Sequence, residues 1–193
     1  MFLFLLLNLV TNKNFLAIIR LVKTFFYYLF YPFILIYKIF YKQRLKNFFK
    51  GITIQKIDTL TGEQFEKIVE LIFKYNGYQT RLTPASSDFG ADVIATKKRI
   101  TWVVQAKLYY NHAVGSKSVQ EVTSALNYYK AHFACVITNW KYSQQAKILA
   151  KTQNVLLIDR NDIIEFLNHV KNKTGKNIFT NLKKLIKINV INL

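Results

Sequence analysis

The sequence predicts an α/β domain with a mixed central sheet flanked by helices, preceded by a transmembrane helix. Three observations carry that expectation. The run TFFYYLFYPFILIY, residues 24–37, contains no charged residue. From Thr61 onward, apolar spacing switches repeatedly between the 3.6-residue period of helices and the two-residue period of strands. The resulting order, α-β-β-β-α-β-α-β-α, suits a layered sheet with helices on its faces.

At the front, the apolar run continues past one interruption at Lys38 to Tyr41. That makes about 18 residues, near the lower end of the roughly 17 to 25 that span a bilayer. Tyr residues suit the interface, Lys23 and Lys38 can snorkel, and Pro32 is tolerated in a spanning helix. The competing reading is an amphipathic helix lying on a membrane or on a partner. Met1 to Val10 is too short to span as a helix, although it could continue into Phe15–Val22 as part of a hairpin; a single pass is preferred. A cleaved signal peptide is disfavoured, because no basic residue precedes Lys13 and no small-residue cleavage site follows the apolar run. Lys13, Arg20 and Lys23 precede the run, whereas Lys38, Lys42, Arg44, Lys46 and Lys50 follow it. This bias predicts a cytoplasmic domain.

Residues 1–41 are therefore expected to anchor the chain, and residues 42–58 to form a basic juxtamembrane linker. The domain is expected over residues 59–170, with a basic tail over 171–193. Thr61-Gly62-Glu63-Gln64 fits a capping box and opens a helix to about Asn76. Phe65, Ile68, Val69 and Ile72 form its apolar stripe, and Gly77 stops it. Strands follow at Tyr78–Thr83, Ala91–Thr96 and Thr101–Lys107, the last two joined by the basic turn Lys97-Lys98-Arg99. Ser118 and Glu121 read as a second capping-box pair before a helix to about Ala131. A strand at Phe133–Thr138, a helix over Ser143–Thr152, a strand at Val155–Ile158 and a helix over Asp159–Val170 complete the domain.

The formal charge of +18 is concentrated at the ends. Residues 1–56 carry nine Lys or Arg and no acid, and residues 171–193 carry six and no acid. The middle has thirteen basic and ten acidic residues. Basic ends suit an anionic membrane surface as well as nucleic acid. Cys135 is the only cysteine, which excludes an intramolecular disulfide and favours a reducing compartment. It reads as a small core residue. His112, His132 and His169 are dispersed without a Cys/His pattern, which argues against a zinc site.

The chemistry concentrates in SSDFGADVIATKKRITWVVQAK, residues 86–107. Folding the two apolar runs as a hairpin brings Asp92 toward Gln105 and Lys107, and residues two apart on a strand share a face. Two oxygen-bearing side chains beside one ammonium suit a hard divalent cation next to a phosphate. On the preceding helix, Glu63 and Glu70 have Lys67 and Lys74 four residues on, whereas Glu66 lacks such a partner and lies nearest the apolar stripe. Each residue alone also has a plain structural role: Asp88 and Gly90 as turn residues, Gln105 and Lys107 as the polar side of a strand. The ordered set of helix Glu, Gly-containing turn, Asp, hairpin and Q-x-K is the signal.

GEQFEKIVELIFKYNGY, SSDFGADVIA, WVVQAKLYY, VGSKSVQEV, FACVITNWKYSQQAKILA and VLLID, in that order, resemble the Mrr-type domain of type IV-like restriction endonucleases, within the PD-(D/E)xK nuclease superfamily. The resemblance covers about residues 59–167. It implies a three-layer restriction-endonuclease-like fold and Mg²⁺-dependent hydrolysis of DNA, with Mn²⁺ as a substitute and no small-molecule cofactor. By position it carries the catalytic set onto Glu66, Asp92, Gln105 and Lys107, and the metal ligands onto Asp92, Gln105 and Glu66, with Glu63 the alternative helix carboxylate. Gln105 stands at the acidic position of the third motif, so the metal would rely on Glu66 for negative charge. Lys107 would orient the attacking water or stabilise the developing charge. DNA and a second copy of the chain are the partners the resemblance implies, and defence against foreign DNA the implied role; the membrane is expected from the apolar run at the front, which lies outside the resemblance. A non-cleaving nucleic-acid-binding module and a membrane-associated interaction protein are the rival readings.

Overall fold

The computed structural model describes residues 13–84 and 89–172. Met1–Val10, Asp88 and the basic tail beyond Asn172, each of which carried an expectation above, lie outside the described residues. Internal contacts divide the chain into two units between Arg44 and Leu45.

The first unit is helical. Helix α1, Lys13–Gly51, begins there and ends in the second unit, with Pro32 inside it. Phe25, Tyr28, Phe33, Tyr37 and Phe40 all stand exposed, and none of the most apolar 18-residue window is buried. By length and composition α1 is the one helix among the described residues able to cross a membrane.

The second unit contains helices α2 (Ile54–Asp58), α3 (Gly62–Tyr75), α4 (Ser116–Tyr128), α5 (Gln144–Thr152) and α6 (Arg160–Asn172). Its strands are β1 (Gln79–Leu82), β2 (Val93–Lys97), β3 (Ile100–Lys107), β4 (Phe133–Thr138) and β5 (Val155–Ile158). They lie in the order β1-β2-β3-β4-β5, with the first three antiparallel and β3, β4 and β5 parallel. This is the mixed sheet expected. Parallel neighbours need crossovers, and α4 and α5 supply them.

Strand alternation divides the core in two. Val93, Ala95, Trp102 and Val104 face the side covered by Phe65, Ile68, Val69 and Ile72 of α3 and by Ile163, Phe166 and Val170 of α6. Ile94, Val103, Ala134 and Val136 face Val119, Val122 and Ala125 of α4 and Ala146 and Ala150 of α5. At the β2–β3 turn Lys98 and Arg99 take φ of 50° and 67°. Two left-handed residues in a two-residue loop match the strand twist. Lys97 fastens this hairpin to the end of α3 by donating to the Asn76 carbonyl at 2.6 Å.

Capping chemistry was legible at α3 and misread at α4. The Thr61 hydroxyl accepts from Gln64 N–H while Gln64 accepts from Thr61 N–H, completing the box. Helix α4 instead starts after Gly115, which makes no side-chain cap. Val114 is bridged to Tyr142, so the chain is extended up to Gly115 and the helix opens immediately after it. Ser118 is consequently buried inside the helix, and Glu121 is released for another partner.

Segment 42–58, expected as linker, is helical over most of its length. Leu45, Phe49, Ile54 and Ile57 are all buried in the second unit. Phe49 is fully buried, with its ring 5.1 Å from Phe166 and 5.9 Å from Tyr75 in edge-on contacts.

Candidate active site

The polar residues of the second unit collect at one end of the sheet. Asp92 immediately precedes β2, and Lys107 ends the antiparallel strand β3, so both lie at that end. The start of α3 is brought there too: Tyr110 Oη donates to the Leu60 carbonyl at 2.9 Å, and Asn139 Nδ2 donates to Asp58 Oδ1 at 2.9 Å.

Asp92 is fixed by its backbone from both sides. Its N–H donates to the Val104 carbonyl at 2.9 Å, and its carbonyl accepts from Thr83 N–H at 3.0 Å. Asp92 is 7% exposed and Gln105 is 3% exposed, so this is a buried polar pair. Asp92 Oδ2 accepts from Gln105 Nε2 at 2.6 Å and from Ala106 N–H at 2.6 Å. These bonds determine the amide orientation. A reversed Gln105 would set its oxygen against the carboxylate, so Nε2 faces Asp92 and Oε1 faces away. Gln105 Oε1 is buried and has no hydrogen-bond partner. A buried acceptor left unmatched is costly and marks a place for a missing donor or cation.

Lys107, two residues on, projects to the same face as Gln105, that of α4. Its Nζ lies 3.0 Å from Glu121 Oε2. Glu121 Oε2 is buried and makes no aligned hydrogen bond, so the contact is an ion pair. Gly90 explains how α4 approaches so closely. It has φ of +89°, and a Cβ there would fall 2.2 Å from the Glu121 carbonyl oxygen. Gly90, read from sequence as a turn glycine, also makes this close approach possible.

The structure thus joins Asp92 to Gln105 and places Lys107 two residues further along the same face of β3. Glu66 lies partly buried on α3, in the part of the helix nearest the site end, although the apolar stripe of α3 covers the opposite sheet face. The other α3 acids are placed differently. Glu63 is exposed, and Glu70 accepts from Thr80 Oγ1 and pairs with Lys74. Among the described residues no three His, Cys, Asp or Glu side chains are gathered as a metal site. A hard-cation site here must therefore count the amide oxygen of Gln105, and the orphaned Oε1 beside a carboxylate fits that role.

Sequence reasoning missed Glu121, whose partner Lys107 is remote in sequence. It also missed the staple behind the site. Arg160 donates to both Asp58 oxygens, at 2.7 and 2.9 Å, and to the Asn139 carbonyl at 3.0 Å. Burial pushes the Asp58 carboxyl up, but hydrogen bonds from Arg160 and Asn139 and the guanidinium charge outweigh it and hold the group below its ordinary value. Cys135 is fully buried, and burial pushes its thiol well above the ordinary range, with Asp162 adding to the shift. That fits a core residue and not a nucleophile.

A family model of restriction endonucleases, Mrr_cat, matches residues 57–167. The chain belongs to this family. The match begins within α2 and ends in α6, so the Mrr-type domain contains Asp92, Gln105, Lys107 and Glu121. Three solved structures are similar in part. One is AF1548, a protein of unknown function, at 16% identity and a TM-score of 0.45, covering 63% of this chain and 66% of that one. Another is the DNA modification-dependent restriction endonuclease AspBHI, at 19% identity and a TM-score of 0.49, covering 76% of this chain and 40% of that one. The third is the MspJI restriction endonuclease in complex with a 27-mer oligonucleotide, at 17% identity and a TM-score of 0.46, covering 78% of this chain and 35% of that one. The Mrr-type chain therefore spans less than two thirds of each of these proteins. No curated protein sequence matches it.

Proposed function

We propose that this Mrr-type chain is a Mg²⁺- or Mn²⁺-dependent endodeoxyribonuclease, anchored to a membrane by α1 with its second unit in the cytoplasm, and that it restricts foreign or modified DNA. The observation that carries the reading is the buried Asp92–Gln105 pair, with its orphaned Oε1, two residues from Lys107.

Asp92, Gln105 Oε1 and Glu66 would hold the ion. A bound divalent ion supplies Lewis acidity toward a phosphate and lowers the pKa of its water. The protein's own part is positioning and charge. Ala106 N–H and Gln105 Nε2 hold Asp92 Oδ2, which fixes the orientation of the carboxylate. Gln105 then presents its oxygen without freedom to rotate away. Lys107 places a positive charge where the phosphate gains negative charge in the transition state. Each site hydrolyses one strand, so a double-strand break calls for two copies or two encounters. The exposed apolar surface of α1 supports the anchoring, because a surface of that extent in water is unfavourable.

One experiment tests both halves. Membranes and soluble fractions are separated for the whole chain and for a chain lacking residues 1–41, and each is assayed on duplex DNA. The whole chain should sediment with membranes and the shortened chain should be soluble. Both should cut with Mg²⁺ or Mn²⁺ and stop in chelator. Cleavage unaffected by chelator would refute the metal-dependent reading, and a soluble whole chain would refute the anchoring.

A further inference from the structure

Gln105 leaves the third motif position without negative charge, while Lys107 adds a positive one beside the proposed ion site. Glu121 answers both. Its Oε2 is buried, although the side chain as a whole is 30% exposed, and lies 3.0 Å from Lys107 Nζ. Its Oε1 is 4.0 Å from Lys117 Nζ, a side chain 88% exposed and therefore a weak partner. The Glu121 backbone is packed closely as well: Gly90, two residues before Asp92, lies against its carbonyl, which sets where this turn of α4 stands. Glu121 thus sits where the loop carrying Asp92, the strand carrying Lys107 and helix α4 meet.

We infer that Glu121 is a positioning residue that supplies the missing acidic charge of the site. It neutralises Lys107, so the lysine can stand beside a divalent ion, and it fixes the ammonium at one place on a flexible four-carbon stem. The inference rests on the proposed metal-dependent reading. The sequence resemblance alone directs attention to Glu66 for this charge, whereas the geometry points to Glu121 of α4. Lone charges within several ångströms of an ion in a partly buried site interact strongly enough to change affinity about tenfold or more.

The test is Mn²⁺ binding by the whole chain without DNA, measured by calorimetry, with circular dichroism and melting as controls. Glu121→Gln should weaken Mn²⁺ binding about tenfold. Adding Gln105→Glu to it should restore affinity to within about threefold, because the charge returns at a neighbouring position. Removing both partners, Lys107→Gln with Glu121→Gln, should also bind nearly as well as the parent, because the net charge of the site is unchanged. That double variant leaves no lone buried charge, so it remains informative should the single variant fold poorly. Unchanged Mn²⁺ affinity in folded Glu121→Gln, with only a lower melting temperature, would make Glu121 purely structural and overturn the inference. Failure of both double variants to bind would overturn it too. If the parent binds no Mn²⁺, or Asp92→Asn binds it equally well, the metal-site reading itself fails and the inference falls with it.

Discussion

Asp92→Asn should reduce DNA cleavage by about three orders of magnitude or more, the scale expected when the charged anchor of a catalytic ion or a transition-state donor is removed. Asparagine is the informative replacement. Its Oδ1 can still accept from Gln105 Nε2 and Ala106 N–H, the two bonds made at 2.6 Å in the parent, so the buried pair survives. Asp92→Ala would instead orphan both donors and cost about 1–3 kcal/mol of stability for each, confounding activity with folding. Lys107→Ala should lose activity to a similar degree, although it leaves the Glu121 carboxylate without its close partner. Steady-state cleavage beside circular dichroism checks both variants. Near-parental rates in folded Asp92→Asn would remove Asp92 from the chemistry.

The second large effect concerns stability and lies at the front of the second unit. Phe49→Ala should destabilise that unit by about 3–5 kcal/mol, the range for deleting a fully buried Phe from a packed core. Its ring closes a cluster with Tyr75 and Phe166, whose rings are themselves 5.7 Å apart. A fragment beginning at residue 51 removes Phe49 and Leu45 together, whereas one beginning at residue 45 keeps both. Denaturant unfolding of residues 45–172 and 51–172 should therefore show a large loss in the shorter fragment. Equal stability would mean that α1 contributes nothing to this core.

What was legible in the sequence was what local chemistry determines. The Thr61–Gln64 box and the Phe65, Ile68, Val69, Ile72 stripe place α3 unambiguously because cap and stripe agree. Phe133–Thr138 and Val155–Ile158 are strands in full, since short apolar runs between turn residues leave little choice. Asp92 meets Gln105, with Lys107 two residues on, because hairpin register is determined by its turn, here Lys98-Arg99.

The failures share the opposite character. Leu45 and Phe49 stand four apart, a helical spacing, but they are interleaved with Arg44, Lys46 and Lys50, and the basic residues made the segment read as linker. Ser118 and Glu121 have capping-box spacing, yet the bridge between Val114 and Tyr142 sets the helix start two residues before Ser118. The ion pair of Glu121 with Lys107, and that of Asp58 with Arg160 across 102 positions, depend on tertiary contacts that no local pattern records.

The central claim is that Asp92 and Gln105 form one ion site. Crystals of residues 45–172 grown with Mn²⁺ test it most directly, through anomalous scattering. The account predicts a peak about 2.0–2.6 Å from an Asp92 oxygen and from Gln105 Oε1, with Gln105 Nε2 still bonded to Asp92. A fully occupied Mn²⁺ elsewhere, with Gln105 Oε1 hydrogen-bonded to protein, would contradict it.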